Sequence, residues 1–248
     1  VRQICIDAIL HTDNTLHSTI VQGLKMFGEM NEELLNRAQS KIINGAASEW
    51  PTQELVDRVW ELEVRKLLRN SALHLADISN PMKPFEICKM WAQCILEEFF
   101  SLGDKMSELG LPVPALNDRG KTNRPHSQIG FIEFFVAPMV FATVRVLAPL
   151  HCLEEEMLQN SASWLEEWAA STGPPEAELE AMSKRGKTLR DKANFQKALP
   201  AKATGRWAAF SVIPRKTLQA ARTHGSPVDR EEGISAESDS PALVRSMP

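Results

Sequence analysis

The stretch HLADISNPMKPFEICKMWAQCILEEFF, residues 74–100, holds the end of one helix, a stop and the start of the next. Ser79 or Asn80 can cap, and Pro81 suits a first helical turn, where its missing N–H leaves no hydrogen bond unmade. Beyond the stop, Phe85, Cys88, Trp91, Ala92, Ile95 and Phe99 recur at helical spacing on one face. Before it, His74 and Asp77 stand three residues apart, so both side chains can serve one polar centre. Alternation of the β type is absent, and the reading from this stretch is α.

The same period extends outward. Leu55, Val56, Val59, Trp60, Leu62, Val64, Leu67 and Leu68 predict an amphipathic helix leading to His74, preceded by a loop, NGAASEWPT, at 44–52. From Val1 to about Asn36 the pattern predicts two helices, with Asp13 and Thr15 at a capped junction and His17 one turn further on. Downstream, Gly103 and Gly110 are expected to end helices, and a Gly- and Pro-rich connector covers 103–126. Gln128–Leu147 is again helical in period, with a bend expected at Pro138, and a last helix runs from His151 to about Ala169.

Beyond Ser171 the apolar period fades. Residues 184–222 are rich in Lys and Arg with Asp191 the sole acid, whereas 229–240 gather acidic residues. Low hydrophobicity and scattered prolines predict a disordered tail. The expectation is an all-α fold, with one domain over 1–170 and a low-complexity tail over 171–248.

Bulk properties exclude several functions. The 248 residues are 43% hydrophobic, ample for a core, and the net charge of −4 gives no global attraction to nucleic acid or anionic lipid. The four cysteines, Cys5, Cys88, Cys94 and Cys152, form no CxxC pair, against a disulfide framework or thiolate zinc site. No membrane span is expected, because no apolar run approaches about 20 residues. A cytoplasmic protein is the expectation, and a start at Val1 inside a helical pattern suggests an excerpt from a longer chain.

Three constellations could carry chemistry. His74 with Asp77 reads by itself first as a partly buried histidine beside a helix cap, and second as an incomplete metal site. Gln128 and Phe131 also share a face; a carboxamide grips a purine edge and a phenyl ring stacks on the base, although a core aromatic stripe explains the same spacing. Glu97 and Glu98 are adjacent, about 100° apart on a helix, and read as an ion-paired or solvated face rather than an acid–base pair.

Taken in order, ADISNP at 76–81, Trp91, EEFF at 97–100, GD at 103–104, GLPV at 110–113, DR at 118–119 and SQIGFIEFF at 127–135 closely resemble one family. It is the class I 3′,5′-cyclic nucleotide phosphodiesterases, in the second half of their catalytic domain. ILHTDNTLH at 9–17 looks like that family's helix junction, and the resemblance covers about Val1 to Ala169. It implies a multi-helical, HD-domain-like fold holding two divalent ions, zinc plus magnesium or manganese, and hydrolysing cyclic AMP or cyclic GMP.

By the resemblance, Asp77 is a metal ligand, Gln128 the purine-selecting glutamine, Phe131 the stacking ring and Ile95 the apolar clamp on the base's other face. Asn80 matches a position at the substrate pocket. His74 and His17 match positions that orient the site rather than bind metal. Asp13 is expected to cap the junction. The family's HNxxH and HDxxH segments, source of the general-acid histidine and the other metal ligands, are absent, so no catalytic acid is expected here and the chain alone is expected to be inactive. A catalytically dead nucleotide-binding or regulatory module is the alternative. Nucleic-acid or membrane binding by the basic tail is disfavoured. The central expectation is geometric: Asp77 faces a cavity whose other wall presents Gln128 and Phe131.

Overall fold

A computed structural model describes residues 2–43 and 51–193. Among them the regular structure is helical throughout. The order is α1 (Arg2–Leu10), a 3-10 turn (Asn14–Leu16), α2 (His17–Met30), α3 (Glu32–Ile43), α4 (Gln53–Trp60) and α5 (Leu62–Asp77). A second 3-10 turn (Asn80–Met82) leads to α6 (Phe85–Glu108), and a third (Ala115–Asn117) to α7 (Arg124–Phe131). A π-helical turn (Ile132–Val136) runs into α8 (Ala137–Val146), then a 3-10 turn (Ala148–Leu150), α9 (His151–Thr172) and α10 (Glu176–Lys192).

The core forms around α8, which packs on α2 and α9. Ile132, Val136, Met139 and Val140 are fully buried, against Leu24 from α2 and Met157 from α9 at no more than 1% exposure. The 124–146 stretch is long and apolar enough to cross a membrane by length and composition, contrary to the expectation that no run approached that size. Its apolar side chains are used here as the central core element.

Several boundaries differ from the expected ones for local reasons. The helix expected over 55–68 is two helices, because Glu61 takes an extended ψ of 133° between α4 and α5. The first segment breaks again at Asn31, whose Nδ2 donates to the Phe27 carbonyl and closes α2. The loop expected at 44–52 lies outside the described residues over 44–50; its end is Thr52, whose side chain accepts from Leu55 N and caps α4.

Gly103 does not end a helix. It sits buried inside α6, where an added Cβ would meet the Asn117 carbonyl oxygen at 2.0 Å, so its role is to admit the 115–117 turn. Gly110 does end α6, at φ 68°. The bend expected at Pro138 takes the form of the π-helical turn just before it. Pro138 has no N–H to offer, and the Ala137 N–H bonds Ile132 O in a wider turn instead.

The tail expected from 171 holds helix α10, which moves the ordered boundary from 170 to at least Lys192. Met182, Leu189 and Ala193 bury a narrow stripe against the fold, and Arg185 forms a bidentate ion pair with Glu133. Three apolar contacts among many charges do not register as a strong period, which is why the helix reads as tail. Residues 194–248, and the charge blocks within them, lie outside the described residues.

Candidate active site

The ILHTDNTLH junction turns the chain sharply from α1 into α2. Asp13 Oδ1 accepts from Thr15 N at 2.8 Å, a cap rather than a ligand position, and the 3-10 turn delivers His17 at the first residue of α2. Helix α5 brings His74 to the same place. His17 Nδ1 and His74 Nε2 are hydrogen-bonded at 2.9 Å, with His17 8% exposed and His74 fully buried.

Burial holds both rings below the usual histidine range. For His17 the neighbouring His74 adds to the effect; for His74 the charge of Asp77 opposes it without overcoming it. A ring-to-ring N···N hydrogen bond needs one donor and one acceptor, so at least one ring is neutral, and burial disfavours charge on the other.

Phe135 completes this layer. Its ring stacks on His17 at 3.8 Å between centroids and 15° between planes, and Phe131 stacks on Phe135 at 5.6 Å and 19°. The π-helical turn sets Phe135 on the same side as Phe131, four residues earlier. An unbroken series of contacts therefore runs from Phe131 through Phe135 and His17 to His74, one turn from Asp77.

Gln128 lies on α7, whose start is fixed by Asn123: its Oδ1 accepts from His126 N at 2.9 Å and its Nδ2 donates to Thr172 Oγ1 at 2.7 Å. Gln128 is 7% exposed, and its Oε1 is buried with no hydrogen-bond partner among the described residues. A buried acceptor left open is destabilising by about 1–3 kcal/mol unless a donor arrives. Phe131 and Ile95 are half-buried, the latter on α6, which packs against α7.

Asp77 itself is exposed at the end of α5 and makes no hydrogen bond or ion pair among the described residues. The cavity expected between Asp77 and the Gln128–Phe131 wall is thus not enclosed at the carboxylate. The described residues offer no group of three His, Cys, Asp or Glu side chains able to hold a metal. Asp77 fits the role of one carboxylate ligand, and one ligand does not retain zinc, which takes three or four from protein.

Asn80 is half-buried at the start of the 3-10 turn after Asp77. The residue that fixes this turn is Asn160 of α9, fully buried, whose Nδ2 donates to Pro81 O at 2.8 Å and Lys83 O at 2.6 Å. Sequence reasoning passed over it; an Asn one turn before Trp164, inside an apolar helix face, was the available signal. Glu97 is ion-paired with Arg119 and Arg124, which hold its carboxyl below the usual range, and both guanidinium groups lie over Phe100.

The described residues form an all-helical domain that brings together a buried carboxamide, a stacked aromatic pair and a carboxylate at a helix end. The family model of 3′5′-cyclic nucleotide phosphodiesterase matches residues 1–157. A probable 3′,5′-cyclic-AMP phosphodiesterase, pde-4 of Caenorhabditis elegans, is 31% identical over 163 residues, covering 66% of this chain and 22% of that protein. The high affinity cGMP-specific 3′,5′-cyclic phosphodiesterase 9A of Homo sapiens is 43% identical over 93 residues, 38% of this chain and 15% of the relative. A solved structure, LmjPDEB1 in complex with IBMX, is 27% identical with a TM-score of 0.47, covering 68% of this chain and 43% of that one. The chain belongs to the 3′,5′-cyclic nucleotide phosphodiesterase family. It spans less than a quarter of the length of the curated relatives it matches, 15% to 24% for the first of them.

Proposed function

We propose that this chain forms the purine-gripping wall and supplies one metal carboxylate of a phosphodiesterase that hydrolyses cyclic AMP or cyclic GMP to the 5′-monophosphate. The observation that carries the reading is the open acceptor of Gln128, buried one turn from the stacked ring of Phe131. A purine edge supplies the missing donor, and the ring face supplies the base's stacking surface. Ile95 contacts the base from the α6 side, and Asn80 lines the substrate site beside Asp77.

Asp77 binds a divalent ion, zinc or its magnesium or manganese companion, with ligands and a general-acid histidine that this chain does not supply. Divalent ions, when bound, supply Lewis-acid activation of water and of the phosphodiester. The residues of this chain hold the reactants in place. His17 and His74, hydrogen-bonded ring to ring, fix the end of α5, and the Phe135 stack ties that end to the base-binding ring. An intracellular setting belongs to the same reading, in keeping with four unpaired thiols.

The exposure of Asp77 and the lack of a three-ligand cluster among the described residues favour a second reading for the chain by itself, nucleotide binding without hydrolysis. Turnover of both cyclic nucleotides in the presence of zinc and magnesium separates the two, measured on this chain and on the whole protein. In the whole protein, Asp77→Ala abolishes turnover and lowers metal content. Retention of both by that variant would overturn the ligand assignment.

A further inference from the structure

The π-helical turn Ile132–Val136 has two attachments. On one side Phe135 stacks on His17, and Phe131 stacks on Phe135. Glu133, two residues from each of these rings, does not share their face. It meets Arg185 of α10 instead. Arg185 Nε donates to Glu133 Oε1 and Oε2 at 3.2 and 3.0 Å, Nη2 donates to Oε2 at 2.5 Å, and Nη1 donates to the Met182 sulfur at 3.0 Å. With all three nitrogens engaged the guanidinium plane is fixed, and its carbon lies 5.2 Å from the centroid of the otherwise exposed Phe134 ring.

A solvent-exposed ion pair contributes little to stability. Here the Glu133 side chain is only 21% exposed and its donor is a planar fork, the geometry in which charge-assisted contacts are strong. Among the described residues every hydrogen bond between α10 and the turn comes from Arg185. Helix α10 packs on α9, and a cavity of about 160 Å³ is lined jointly by Ile129, Glu133, Leu165 and Leu189, so close packing does not replace that bond. Without Arg185 a largely buried carboxylate has no cation beside it, and water reaches it by an outward swing of Glu133. Such a swing turns the backbone midway between Phe131 and Phe135 and disturbs their stack.

We infer that Arg185 is a positioning residue of the base-binding site: through Glu133 and Phe134 it holds the π-helical turn in the register that presents the Phe131 ring. The inference rests on the reading of Phe131 as the ring that stacks on the base. It makes α10, which reads from sequence as tail, part of the site at one remove.

The test is titration of AMP, and of ribose 5-phosphate, which lacks the base, into the whole protein and its Arg185→Gln variant. Misplacing the ring weakens AMP binding roughly 2- to 12-fold, the range of one aromatic contact, and leaves ribose 5-phosphate binding unchanged. The exchanged pair, Arg185→Glu with Glu133→Arg, regains affinity for AMP. Equal loss for both ligands marks a general loss of folding and overturns the proposal. Unchanged AMP affinity in Arg185→Gln, or no recovery on exchange, overturns it as well. Gln128→Ala, titrated alongside, tells two failures apart. If it weakens AMP binding and Arg185→Gln does not, the positioning role is wrong and the purine site stands; if neither variant weakens AMP binding, the purine-site reading falls too.

Discussion

His17 Nδ1 and His74 Nε2, 57 residues apart in sequence, meet at 2.9 Å beneath the ring of Phe135. The bond joins the start of α2 to the last turn of α5 and so ties the TD junction to the helix that ends in Asp77. At least one of the two rings must stay neutral to accept, and burial disfavours charge on either, which makes the contact sensitive to acid.

Both histidines titrate below their ordinary 6.5 in the folded chain, burial being the main cause. As pH falls, the unfolded chain takes up these protons first. The stabilisation is therefore complete above 6.5 and is lost as pH drops through the depressed folded values. Thermal unfolding between pH 7.5 and 5 should show this loss in the parent, and a His17→Phe, His74→Leu double variant should lose much of that acid sensitivity. His17→Phe alone leaves His74 Nε2 buried and unpaired, destabilising by about 1–3 kcal/mol.

Glu154 runs the other way. It is 2% exposed on α9, and burial pushes its carboxyl from 4.5 up to about 7. The folded chain holds this proton more tightly than the unfolded chain, so stability is fully present below 4.5 and falls as pH rises toward 7. The difference amounts to about 3 kcal/mol. Glu154→Gln removes the ionisation, so denaturant midpoints should show the variant more stable than the parent at pH 8 and near equal at pH 4.5. An equal offset at both pH values would contradict the assignment.

The two helix-interior glycines of α6 and α7 should respond in opposite directions. Gly103→Ala drives a Cβ into the Asn117 carbonyl, with only 2.0 Å available, and should lose about 1–3 kcal/mol by forcing the 115–117 turn away. Gly130→Ala meets nothing within 4 Å inside α7 and should gain about 0.5–1 kcal/mol of helix stability. Urea midpoints of the two variants check the contrast.

Asn160→Ala should free the turn after Asp77 without touching Asp77 itself. Loss of the two carbonyl contacts, at 2.8 and 2.6 Å, leaves Pro81 O and Lys83 O without this donor. Amide exchange of residues 79–83 should accelerate in the variant, and unchanged protection would show that other contacts hold the turn.

The helices and the order of the motifs were legible because helical period is a local property. Pro81, the face running through Cys88, Ala92 and Phe99, and the Gln128–Phe131 spacing all act within a few residues. What escaped was set by distant partners. Gly103 reads as a helix end until Asn117 is seen against it, and Asn160 has no meaning without the carbonyls of Pro81 and Lys83. Helix α10 was hidden because its stripe of Met182 and Leu189, with Ala193 just past its end, is thin and its anchor, Arg185 on Glu133, spans 52 residues. The exposed position of Asp77 is the plainest departure from expectation: the described residues stack Phe131, Phe135 and His17 and pair His17 with His74 one turn from the carboxylate, and they do not close a cavity over it.

Gln128→Ala tests the account most directly, with AMP and GMP titrated into the whole protein and its melting temperature measured in parallel. Because Gln128 Oε1 has no partner among the described residues, its removal should leave the melting temperature unchanged or raise it, while nucleotide binding weakens by about 1–3 kcal/mol, roughly 5- to 150-fold. Unchanged nucleotide affinity, or a loss of affinity matched by a loss of folding stability, would contradict the claim that this amide is kept open for a purine.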